Sequence, residues 1–98
     1  MRLTEAEIDG IKTAAREWFG APVPVRLFGS RIDDSKKGGD IDLLVETPPG
    51  RATFSDEIGL AARLDVHLGE RKIDILLVEP GQPLDPMQQI AMRDGVLL

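Results

Sequence analysis

Apolar and polar residues follow two rhythms along this chain. Ile8, Ile11, Ala15, Trp18 and Phe19 recur at three- and four-residue spacing, the period of one helix face. Thr4 with Glu7 three residues on makes a capping box, and Gly20, Pro22 and Pro24 stop the pattern, so a helix is predicted over 5–19. The rhythm then shortens. Val25–Phe28, residues 40–46 and Ile73–Val78 are short runs rich in Leu, Ile and Val, which read as strands. The unbroken runs Leu43-Leu44-Val45 and Ile75-Leu76-Leu77-Val78 suit strands covered on both faces.

Helical spacing returns over 54–69. Ser55 is the expected N-cap, Asp56 and Glu57 sit in the first turn, and Leu60, Ala61, Leu64 and Leu68 form the buried stripe with Ile58 at its border. Residues 86–94 predict a third helix, with Asp85 as N-cap, Pro86 in the first position and Gly95 past the end. Ile90 should face the core there, with Met87 or Ala91 beside it. Val96-Leu97-Leu98 either packs back or meets a partner chain, which includes a second copy. The order α-β-loop-β-α-β-α predicts a single α/β (α+β) domain over 1–98, with a small mixed sheet of three to four strands and helices packed mainly on one face.

Composition narrows the function classes. The 98 residues carry a net charge of −5, which gives no bulk attraction for nucleic acid and argues against a basic RNA-binding module or a general polymerase. There is no cysteine, hence no disulfide framework and no thiolate site. No apolar run approaches membrane-spanning length and the first ten residues lack a signal-like apolar segment, so a soluble cytoplasmic protein is expected. Trp18 reads as a core anchor and the sole histidine, His67, as a structural or surface residue: one histidine does not make a metal site.

The candidate chemistry lies in LFGSRIDDSKKGGDIDLLVE, residues 27–46. A strand ends at Gly29-Ser30, a polar loop follows, and Asp40 and Asp42 open the next strand. Residues i and i+2 of a strand share a face, about 6.6 Å apart from a rise of about 3.3 Å per residue. Two like charges so placed need a cation, a shared proton or open water. Lys72-Ile73-Asp74 repeats the design, a carboxylate ahead of an apolar run. If the two strands are neighbours in register, Asp74 joins Asp40 and Asp42, and three carboxylates favour a hard cation such as Mg²⁺. Arg31, Lys36 and Lys37 are the local cations; Asp33 and Asp34 partly cancel them, and each singly reads as a solvated loop residue.

Gly29-Ser30, a loop, Asp40-x-Asp42-Leu43 and a later strand aspartate at Asp74 together resemble the minimal nucleotidyltransferases of the DNA polymerase beta superfamily. The resemblance spans roughly residues 18–78. One departure is Gly39, where many members carry serine; it removes a hydroxyl and no metal ligand. The resemblance implies a polymerase-beta-type fold and a Mg²⁺-dependent transfer of a nucleoside monophosphate, AMP from ATP in the first instance, to a hydroxyl on a protein or RNA acceptor, with pyrophosphate released. Asp40, Asp42 and Asp74 would be catalytic residues and ligands of two Mg²⁺ ions, and Gly29, Ser30 and Arg31 would bind the nucleoside triphosphate. It further implies pairing with a helical HEPN-type protein as the antitoxin of a toxin–antitoxin module. The alternative is a catalytically inactive binding module of the same fold that neutralises a partner by contact.

Overall fold

The computed structural model describes residues 3–29 and 41–98. Helix α1 runs Glu5–Phe19. The Thr4 hydroxyl accepts from the Glu7 N–H at 3.0 Å and the Glu7 carboxylate accepts from the Thr4 N–H at 2.9 Å, so the predicted capping box is formed. Gly20 closes the helix in the left-handed region, with φ of 79°. Ile11, Ala14, Ala15 and Phe19 are buried, while Ile8 and Trp18 are half-buried at the edge of that face.

Strand β1 is Val25–Phe28, β2 is Ile41–Glu46 and β3 is Ile73–Val78. A fourth strand, β4, is formed by Val96–Leu97. The sheet order is β3-β2-β1-β4. β2 and β3 are parallel, joined through helix α2, Phe54–Leu68; β1 is antiparallel to both β2 and β4. The C-terminal apolar residues therefore pack back onto the sheet edge, and the Leu98 N–H donates to the Val25 carbonyl at 2.9 Å.

α2 starts at Phe54 as expected, but its cap lies two residues earlier than expected. Its N-cap is Thr53 and not Ser55. The reason is the third residue on: Asp56 can return a hydrogen bond to Thr53, whereas Ser55 has Ile58 at that place. Leu60 and Leu64 are buried, Ala61 and Leu68 are half-buried, and Ile58 is exposed.

Helix α3, Pro86–Asp94, has the expected Asp85 cap and Pro86 start. The expectation that Ile90 faces the core is corrected: it is 49% exposed and Met87 57%, whereas Ala91 is fully buried. The small side chain lets the helix backbone approach the sheet, and that approach selects the face.

Two of the three helices share one face of the sheet. α1 and α2 cover one face through Ile11, Phe19, Leu60 and Leu64 against Leu27, Ile41, Leu43 and Val45. α3 covers the other, where Ala91 packs with Leu44 and Val78, joined by Phe28, Leu76 and Met92. β2 is thus apolar on both sides, as its unbroken run requires. Each such aliphatic side chain contributes about 1.5–3 kcal/mol on burial.

Candidate functional site

Chain pairing brings Asp42 and Asp74 together. They are direct partners in the parallel β2–β3 register, and Phe28 is the partner of Asp42 on β1. Paired residues share a face, and parity puts both aspartates on the face of Leu44, Leu76 and Val78, the side that α3 covers farther along. Their backbones are about 4.8 Å apart, the spacing of neighbouring strands. Asp42 is half-buried and Asp74 exposed, so the pair opens to solvent where the two strands begin. The Ile41 N–H donates to the Lys72 carbonyl at 3.2 Å and fixes this end of the register.

The turn after β1 closes against Asp42. Gly29 has φ of +77°, and a Cβ built there would lie 2.3 Å from Asp42 Oδ2 and 3.2 Å from its Cγ. Only glycine takes this dihedral without strain. Only a residue without a side chain leaves room for the carboxylate. Gly29, Asp42 and Asp74 are therefore contiguous, drawn from the ends of three strands.

Asp40, Ser30 and Arg31, the remaining predicted site residues, lie outside the described residues, as do Asp33, Asp34, Lys36, Lys37 and Gly39. Among the described residues no group of three His, Cys, Asp or Glu side chains converges on one point. The described acidic pair supplies oxygen donors, which suit a hard cation.

The same sheet face carries a second charged feature at its other end, the Arg26–Glu46 ion pair. An arginine–glutamate pair at one end and two neighbouring carboxylates at the other make the two ends chemically different. His67 is engaged on the opposite side of the fold, with Nε2 2.8 Å from Glu17 Oε1, in keeping with a structural role.

One polar cluster was not anticipated from sequence. Asp56, expected only as a first-turn acid, is buried. It accepts from Trp18 Nε1 at 3.1 Å, Arg51 Nε at 3.0 Å and the Thr53 hydroxyl at 2.7 Å. These bonds, the Thr53 hydroxyl first, hold its pKa down at about 2. Arg51 also donates to the Trp18 carbonyl at 3.3 Å and lies over the Phe19 ring, 5.2 Å from its centre. Every donor is internal, so the cluster ties α1, the 47–53 loop and α2 together.

No protein-family model matches the chain, and no curated protein matches it in sequence. The fold and its site define a small mixed α/β protein with an in-register acidic pair at one end of the sheet. No described helix is long and apolar enough to cross a membrane.

Proposed function

We propose that this chain is a Mg²⁺-dependent nucleotidyltransferase that moves a nucleoside monophosphate, AMP from ATP, onto a hydroxyl of a partner protein. One observation carries the reading: Asp42 and Asp74 are register partners on parallel strands, with the Gly29 turn closed against the Asp42 carboxylate. Two carboxylates at neighbouring strand starts supply the oxygen donors that a hard cation takes. Further support comes from the polymerase-beta-like pattern of Gly29-Ser30, Asp40-x-Asp42 and Asp74 in the sequence. The net charge of −5 favours a protein acceptor over a nucleic acid.

In this reading Asp42 and Asp74, with Asp40, would hold Mg²⁺, and the turn at Gly29 and Ser30, with Arg31, would take the triphosphate. When bound, the metal would offset charge on the transferring phosphoryl group and lower the pKa of the attacking hydroxyl. The acceptor oxygen bonds to the α-phosphorus as the bond to the β-phosphate bridging oxygen breaks, pyrophosphate leaves, and Asp74 assists removal of the hydroxyl proton.

The test is transfer of label from α-labelled ATP to candidate partner proteins and RNAs in Mg²⁺. Asp42→Asn and Asp74→Asn, each checked for an unchanged fold, should abolish it. Undiminished labelling by the folded Asp42→Asn protein would end the assignment.

A second reading is favoured by Phe54, Ile58 and Val66, which are 75%, 54% and 79% exposed on the side of α2 away from Leu60 and Leu64. Such a stripe suits a contact-only module. It predicts partner neutralisation that survives Asp42→Asn with Asp74→Asn.

A further inference from the structure

At the end of the sheet remote from Asp42 and Asp74, β2 and β3 finish and the chain turns through 79–85 into α3. Two adjoining cavities open there, of about 330 Å³ and 220 Å³. Val78, Glu79, Gln82 and Leu84 line both. Open α/β sheets take ligands beyond the carboxyl ends of their strands, and the larger cavity is within the size range of small-ligand sites.

The smaller cavity is walled mainly by apolar surface, with Val78, Pro80, Leu84 and Met92 among its lining residues; the larger adds Leu77 and Pro83 but is more polar, with Gln82 and Gln88 beside Glu79. Two carboxylates reach the cleft and they differ. Glu46 is ion-paired with Arg26. Glu79 is half-buried, and among the described residues its carboxylate makes no hydrogen bond or ion pair. Gln88 Oε1 is occupied by the Asp85 N–H at 3.0 Å, which leaves the amide –NH₂ of Gln88 for other contacts. Among the described residues the cleft thus presents one unbalanced negative charge, at Glu79, next to the apolar surface of the smaller cavity.

We propose that this cleft binds a cation carried on an apolar stem, with Glu79 as its counter-ion. An alkylguanidinium, the chemistry of an arginine side chain, fits best. Its planar fork matches a carboxylate, it is more weakly hydrated than an ammonium, and its methylene stem covers apolar surface. The proposal does not depend on the transferase reading, because none of its residues belongs to the Asp42–Asp74 end.

The test is amide NMR of the whole chain titrated with butylguanidinium and, separately, with uncharged butylurea. Saturable shifts at Gly81, Gln82, Leu84 and Gln88 are expected with the cation, and binding at least about tenfold weaker with the urea. Glu79→Gln should weaken cation binding by a similar factor while the remaining spectrum stays in place. Equal responses to the two probes, no response at these amides, or full affinity in Glu79→Gln would overturn the proposal. A capped arginine peptide that binds more tightly than butylguanidinium would assign the ligand to a partner chain; the reverse order would assign it to a small molecule.

Discussion

Replacing Gly59 with alanine sets two effects of opposite sign against each other. In an ordinary helix interior the change stabilises by about 0.5–1 kcal/mol, because glycine loses more backbone freedom on folding. Gly59 lies in α2 under the Trp18 indole. A Cβ there would sit 2.2, 2.3 and 2.5 Å from Cη2, Cζ2 and Cζ3 of that ring. Carbon atoms rest about 3.5–4.0 Å apart, so the ring must withdraw by more than about 1 Å. It is not free to do so, because Nε1 is held by Asp56 at 3.1 Å. Overpacking of this kind costs about 1–3 kcal/mol. With the ring pinned the overpacking cost lies at about 2–3 kcal/mol, so set against the helix gain the net is a loss of about 1–2.5 kcal/mol, or a melting point lower by roughly 4–20 °C for a domain of this size. Urea unfolding followed by circular dichroism measures it. Gly10→Ala in α1 is the control: its Cβ would meet Leu68 Cδ2 at 3.1 Å and His67 Cβ at 3.4 Å, contacts that a flexible side-chain end relieves, so it should be close to neutral. In the Trp18→Phe background the Gly59→Ala penalty should vanish, since the offending ring atoms are gone. A Gly59→Ala protein as stable as the wild type would refute the packing of α1 on α2 described above.

Two further outcomes follow from named contacts. Asp56 has a folded-state pKa of about 2, below its ordinary 3.8, so it stabilises the fold above the ordinary value. That contribution fades as pH falls from about 4 through 2; Asp56→Asn should unfold more readily at neutral pH and lose less between pH 5 and 2, as read by thermal melts across that range. Gly29→Ala should cost about 1–2 kcal/mol from the left-handed backbone alone and also displace the Asp42 carboxylate; unchanged stability and unchanged backbone shifts at Asp42 would contradict the close approach.

Local chemistry made much of the fold legible. Thr4 with Glu7 and Asp85 with Gln88 close capping boxes within one turn, and such bonds depend only on residues three apart. Thr53 with Asp56 was open to the same argument, although Ser55 competed for the role. The Leu43–Leu44–Val45 run announced a strand buried on both sides. Periodicity, by contrast, does not say which neighbour lies close enough to matter. Ala91 is buried and Ile90 is not, because hydrophobicity ranks side chains but only the distance from α3 to the sheet decides which one fits. Two residues, Val96 and Leu97, become a strand only because β1 offers an open edge. The aspartates show the division most clearly. Sequence placed Asp42 and Asp74 each at the start of an apolar strand. Their partnership, the Gly29 backbone set against one of them, and the placing of Glu79 at the opposite end come from strand register and chain reversal, which are set by the whole core at once.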